Sequence, residues 1–221
     1  MRTSVSFSLF FLFTLLCCGR TCPQPPPPQA PPTAAQKGNS MQDNPTLKTL
    51  FSRKSVRRYT GVAPTLEQLT VLVKAGMAAP TAVNRQPWEF IIVTDAAKLA
   101  QLNDRLPYAK MISKAGAAIV VLGDKLRQHK GPDTDYWITD CSAAIQNILL
   151  AAEATGLGAV WTAAYPDPAR IAAVREVLGV SAEHLVPLAV IPVGHPTGED
   201  QPKDKWDPAR VFLNEYGKKL E

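Results

Sequence analysis

Arg53, Ser55 and Arg57 recur at every second residue of the stretch Arg53-Lys54-Ser55-Val56-Arg57-Arg58-Tyr59. In an extended segment, side chains at i, i+2 and i+4 share one face, so two guanidinium forks and a hydroxyl converge on a single small anion. A helix with the same spacing throws Ser55 to the opposite side. Arginine suits the task because its planar fork meets phosphate oxygens bidentately and keeps its charge. The chemistry indicated is phosphate binding on extended backbone. A solvated basic turn after a helix is the other reading that these seven residues allow by themselves.

The elements that must position this stretch follow from the surrounding pattern. Asn44 N-caps a short helix with Pro45 in its first turn and Leu47, Leu50 and Phe51 on one face, which delivers the chain into the basic motif. Thr65-Leu66-Glu67-Gln68 is a capping box; the helix it opens carries Leu66, Leu69, Leu72, Val73, Gly76 and Met77 inward and stops before Pro80. A loop held between Pro80 and Pro87 leads into a strand, Trp88–Val93. Asp95 caps a helix to about Asn103, a short helical or irregular piece covers Tyr108–Lys114, and the apolar run Ala117–Leu122 is a buried strand. Thr134–Thr155 is the longest helical pattern, closed by Gly156 and apolar on much of its circumference, as in a helix central to its domain or in a subunit interface. Ala159–Ala163 is a further strand, and Asp167 and Pro168 open a helix that ends at Leu178. Val186–Val193 reads as a strand near an edge because Pro187 and Pro192 interrupt it. Val211–Tyr216 is a last short strand.

At 221 residues and 46% hydrophobic content, the chain buries one core and holds one domain plus a tail. The formal charge is +5 with the cations scattered, which leaves nucleic-acid binding without support beyond Arg53–Arg58. The N-terminus reads as a targeting segment: Arg2 precedes an apolar stretch, Val5–Leu16, too short to span a bilayer and suited to a signal peptide. Leu15-Leu16-Cys17-Cys18-Gly19 resembles a lipoprotein cleavage box with Cys18 as the lipidated residue, Cys17 standing where Gly, Ala or Ser is usual. The organisation expected is a signal peptide at 1–17, a Pro-rich disordered linker at 18–43 and a folded domain at 44–221, held at the cell envelope with the anchor as its only membrane contact. Cytoplasmic residence is the alternative. Cys141 is the one cysteine outside the leader and is expected to be a buried small hydrophobe.

Further motifs extend the first. Arg53-x-Ser55-x-Arg57, then Pro80-Thr81-Ala82-x-Asn84-x-Gln86-Pro87-Trp88, then Ala144-x-Gln146-Asn147 leading to Gly156-Leu157-Gly158-Ala159-Val160-Trp161, then Gly194-His195-Pro196 and Lys203-x-Lys205 resemble, in order, the flavin-dependent nitroreductase family. The resemblance covers about Asn44 to Glu221. It implies an α+β sandwich around a central mixed sheet, flanked by helices and built as an intimate homodimer with FMN in clefts between subunits. It implies that Arg53, Lys54, Ser55 and Arg57 take the FMN ribityl and phosphate with Lys203 and Lys205. Lys205 stands where arginine is frequent and lacks the bidentate fork. Pro80, Thr81, Ala82 and Asn84 approach the isoalloxazine from the partner subunit; Gln86 reaches the same ring or only sets the loop. Trp161, Thr162, Ala163 and Ala164 lie along the flavin face and offer a backbone N–H, and Tyr108 lies where the family admits substrate.

The residues agree with flavin-borne chemistry, in which the protein supplies orientation, donors and a positive field. No Ser/His/Asp set is visible, so no catalytic side chain is assigned. His129, His184 and His195 lack metal-ligand spacing, and Gly156-Leu157-Gly158 meets Trp161 where a dinucleotide loop needs its third glycine. The expected activity moves hydride or electrons from NAD(P)H, or an envelope donor, to a nitroaromatic, quinone or similar acceptor in ping-pong order. A non-catalytic FMN carrier or sensor is the alternative. Trp88 and Trp137 are expected in the core.

Overall fold

The apolar run from Ala117 becomes strand β2, Ala117–Asp124, with all eight residues buried. A strand without a polar face needs a layer on each side. Strand β1, Trp88–Val93, pairs antiparallel with it, Trp88 opposite Gly123 and Val93 opposite Ala118. On its other side runs the ten-residue strand β5, Leu185–Gly194, also antiparallel. Two short strands, β3 at Gly158–Ala159 and β4 at Thr162–Ala163, share the far edge of β5. The computed structural model describes residues 43–220; the expected signal peptide, the proline run and Cys18 lie outside them.

Side-chain alternation sorts the sheet into two cores. Ala117, Ile119 and Val121 join Trp88, Ile191 and Val193 against helices α2, Leu66–Met77, and α5, Tyr136–Ala154. Ala118, Val120, Leu122 and Val190 face the opposite layer: α3, Ala96–Arg105; α4, Ile112–Ala115; and α6, Pro168–Leu178. Each fully buried aliphatic side chain contributes about 1.5–3 kcal/mol relative to exposure, which holds the three layers together. The fold is therefore an α+β sandwich. The caps act as the residues indicate: Asn44 accepts from the N–H groups of Thr46 and Leu47 to start α1, Pro45–Ser52, and both halves of the Thr65–Gln68 capping box form.

Several expectations change. Every strand pairing among the described residues is antiparallel, where a mixed sheet was implied. β5 lies inside the sheet rather than near its edge, because each proline falls where a ladder bond is already missing. Pro187 stands at a bulge, where the register slips between Val121 and Leu122. Pro192 faces the gap between β3 and β4, and its absent N–H explains why the expected Ala159–Ala163 strand is split there. Of the two settings expected for α5, the structure gives the one central to its domain, with Trp137, Cys141, Ala144, Ile145, Ile148 and Ala152 all buried. On α2, Leu66 and Met77 turn outward instead of inward. Val211–Tyr216 forms no strand; a single bridge joins Phe212 to Lys219.

Candidate functional site

After α1 the chain is extended, as the basic motif requires. The Val56 N–H donates to Ala159 O at 3.0 Å, Thr60 N–H to His195 O at 2.9 Å and Thr197 N–H to Arg58 O at 3.1 Å, so residues 56–60 run beside β3 and the residues that follow β5, with a single bridge from Tyr59 to Pro196. Val56 and Tyr59 are the buried anchors. The Tyr59 hydroxyl lies 2.8 Å from Val56 O and 3.3 Å from Pro192 O, and burial pushes its pKa up. Gly158 permits this approach: a Cβ there would lie 2.5 Å from Val56 Cγ1. With Val56 turned inward, Arg53, Ser55 and Arg57 take the other face.

They open onto a cavity of about 1050 Å³, completed by Leu50, Phe51 and the segment Glu199–Trp206. The structure thus brings Lys203 and Lys205 to Arg53, Ser55 and Arg57. Among the described residues, Arg53, Arg57, Lys203 and Lys205 enter no ion pair. Lys54 also lines this cavity and carries a carboxylate partner. Its ammonium donates to both Glu153 oxygens of α5, at 2.9 and 3.0 Å, with both side chains largely shielded from water. Asp200 Oδ2 accepts from the N–H groups of Arg57 and Arg58 at 2.9 and 3.1 Å, and Glu199 pairs with Arg58 at 2.8 Å. These carboxylates fasten the C-terminal segment over the motif.

The loop from Pro80 to Gln86 does not line that cavity. It holds a single 3-10 turn, Ala82–Asn84, and three non-glycine residues at positive φ: Val83 at 52°, Asn84 at 53° and Gln86 at 51°. Such backbone, costly for a β-branched residue, persists only where its surroundings fix it. Thr81 Oγ1 accepts the Gln86 N–H at 3.1 Å, Asn84 Oδ1 accepts from Gln86 Nε2 at 3.0 Å, and Asp140 Oδ1 accepts the Ala82 N–H at 3.0 Å. The Gln86 side chain is thus bonded within the loop through Nε2. Pro80, Val83 and Asn84 remain exposed.

The strand end at Trp161–Ala164 offers a donor. Opposed residues of an antiparallel ladder alternate between pairs that exchange two hydrogen bonds and pairs that exchange none. Ala164 N–H donates to Leu188 O, so the neighbouring pair Ala163–Ala189 is of the second kind and the Ala163 N–H turns away from β5. The Ala163 carbonyl accepts from Arg170 Nη1 at 3.4 Å. The Arg170 guanidinium also stacks 4.8 Å from the Tyr108 ring centre and pairs with Asp167 at 3.2 Å, placing Tyr108, Thr162 and Ala163 around one small recess. Tyr108 is 72% exposed. Trp161 is half-buried against the main core.

Asp140, Glu153, Arg170 and Asp200 were not singled out in the sequence. Asp140 had a signal, a lone carboxylate between Trp137 and Cys141 on the apolar side of its helix. Burial raises its carboxyl pKa, while the Ala82 N–H and His129 pull it down. A raised folded value means that the stability Asp140 contributes is fully present below the ordinary Asp range and is lost as pH rises through the folded value. Asp140→Asn keeps an acceptor for Ala82 and removes the buried charge. Its stability relative to wild type is expected to improve as pH rises from below the ordinary Asp range to neutrality, read by urea unfolding at each pH; a constant difference across that whole range would contradict the raised value. Cys141 is inert by comparison, its thiol pushed up to about 12 by burial, and no cluster of metal ligands exists among the described residues.

Comparison with known proteins gives a consistent picture. A model described as the nitroreductase family matches residues 50–107 and 100–195. An Archaeoglobus fulgidus protein whose name places it among NADH dehydrogenase/NAD(P)H nitroreductases is 39% identical over 174 residues, covering 77% of this chain and 98% of its own. A crystal structure of a protein so described, from Bacteroides thetaiotaomicron, is 47% identical with a TM-score of 0.73 and covers 78% of this chain and 99% of its own. A nitroreductase-type protein from Desulfovibrio desulfuricans, crystallised with FMN, is 29% identical with a TM-score of 0.65, covering 78% of this chain and 97% of its own.

Proposed function

The chain belongs to the nitroreductase family, and from that premise we propose that it passes electrons from NAD(P)H to a small nitroaromatic or quinone, donor and acceptor using one site in ping-pong order. It is an NAD(P)H-dependent flavin oxidoreductase with FMN as its cofactor. The residues fit that group: the cavity is slightly above the range of about 300–1000 Å³ usual for ligand sites, and four cations without ion pairs among the described residues line it, as a phosphate dianion requires.

The observation that carries the reading is this convergence of Arg53, Ser55, Arg57, Lys203 and Lys205 on one cavity. Arg53 and Arg57 would hold the phosphate with Ser55. Pro80, Thr81, Ala82 and Asn84 would pack on the ring system, and the Ala163 N–H would donate to it. When bound, FMN supplies the hydride-accepting and hydride-donating chemistry. The chain fixes donors and charge in advance, so little reorganisation is left for the reaction itself. Tyr108 would lie against the acceptor at the mouth of the site, with Arg170 fixing the orientation of the Tyr108 ring.

The working unit we propose is a homodimer. Within one chain the phosphate cavity and the Pro80–Gln86 loop are separate, and Phe51, Leu66, Met77 and Val83 are apolar and exposed along α1, α2 and that loop. A second copy would cover this surface and complete the site. Sedimentation at micromolar concentration is expected to show a dimer that retains flavin; a fully flavinated monomer would contradict it.

For the reaction, anaerobic NAD(P)H should bleach the yellow protein and a nitroarene or quinone should restore its colour. Initial rates should give parallel double-reciprocal lines. Intersecting lines would exclude the shared site.

A further inference from the structure

We propose that Asp140 is the positioning residue of the ring-facing loop, fixing its height above α5 through the single acceptor it offers to the Ala82 N–H; this rests on the reading above that Pro80–Asn84 pack on the FMN ring. Three observations meet there. Among the described residues, the hydrogen bond from Ala82 N to Asp140 Oδ1, at 3.0 Å, is the one bond that joins residues 80–86 to an element outside the loop and its following strand. The other bonds of residues 80–86 close the loop upon itself and set its shape; at its far end Pro87 O accepts from the Asp124 N–H and lies 3.4 Å from Cys141 Sγ, so the Ala82–Asp140 bond is what holds the span ahead of Pro87 to α5. The backbone they shape is otherwise unfavourable, with Val83, Asn84 and Gln86 all at positive φ.

Asp140 is itself an expensive way to make one hydrogen bond. It is only 5% exposed, on the side of α5 that carries Trp137, Cys141 and Ala144. Its second oxygen, Oδ2, is buried and has no partner. A buried carboxylate oxygen left unpaired destabilises the fold. A helix whose only need was packing would carry an apolar residue here. The group costs stability and sits where a backbone N–H of the loop must be held, so its return is geometric. Because α5 is buried against the sheet and α2, the tether refers Pro80, Thr81 and Asn84 to a packed helix of the core.

The test compares two variants of similar shape that differ in the acceptor, Asp140→Asn and Asp140→Leu, each purified as the flavin-loaded protein. Two readouts are taken: visible-region circular dichroism of the bound flavin, and FMN released on serial dilution, followed by flavin fluorescence. The Asn variant should keep the wild-type spectrum and release FMN within about twofold of wild type. The Leu variant should release it about tenfold more readily, the scale of one charge-assisted bond, with an altered dichroism band. A role confined to stability would shift thermal unfolding in either variant and leave both flavin readouts alone; that result overturns the proposal. An Asn variant as impaired as the Leu variant also overturns it, since the acceptor would then not be what matters. If the Leu variant does not fold, Asp140→Ala replaces it with the same expectations. Wild-type protein without FMN would instead remove the reading of the site itself.

Discussion

Arg57→Ala is expected to weaken FMN binding by about 1.5–3 kcal/mol, roughly 10- to 150-fold, the range for a hydrogen bond to a charged group. Arg53→Ala should behave alike. Both side chains leave the extended segment on the face away from buried Val56, and both open on the same cavity. Neither is held by a carboxylate among the described residues, so each is available to a phosphate. The fold should survive, because the segment is fixed by backbone bonds from Val56, Arg58 and Thr60 rather than by these side chains. Thermal unfolding of the flavin-free variants should therefore match that of flavin-free wild type. Wild-type affinity should fall as salt rises, and the variants should fall less steeply, having one charge fewer to screen. Arg57→Lys should recover only part of the loss, since an ammonium has no fork. Wild-type affinity in both alanine variants would show that the phosphate is held elsewhere.

Lys54→Met and Glu153→Gln are expected to behave as a pair, each destabilising the protein by about 1–3 kcal/mol, between the exposed and the fully buried case, with the double variant recovering much of it. The two side chains retain only 21% and 16% of their exposure, and the ammonium meets both carboxylate oxygens. Removing one partner strands the other charge in a poorly solvated position, whereas removing both leaves no orphan. The bond crosses from the motif to α5, so its loss should also loosen FMN through misplacement of Arg53 and Ser55. A phosphate-binding Lys54 makes the opposite forecast: Lys54→Met alone would lose flavin, and Glu153→Gln would leave it intact or tighter. Denaturant unfolding and flavin release in the three variants distinguish the two roles.

Much of this molecule could be read from its residues because the determining physics is local. The Asn44 cap, the Thr65–Gln68 capping box, the Trp88–Val93 strand and the Asp167–Pro168 helix start each depend on neighbours a few positions away, and all of them form. The alternation of Arg53, Ser55 and Arg57 is legible for the same reason: extended backbone fixes which side chains share a face. Family motifs added the cofactor, whose binding residues recur at set spacings. What the sequence could not show depends on partners distant along the chain. Pro187 and Pro192 read as edge signals, yet β5 is internal, because a bulge and a gap between β3 and β4 absorb the missing donors. Lys54 reads as one more cation lining the cavity; what the sequence does not show is that α5 brings Glu153 to it from 99 residues away. Asp140 meets Ala82 across 58 residues. The apolar girth of α5 allowed a domain centre or a subunit interface, and packing decides for the domain centre, where the sheet and α2 cover it. Side-chain type and spacing determine which groups are presented on a face; only the packing of remote segments decides what each group then meets.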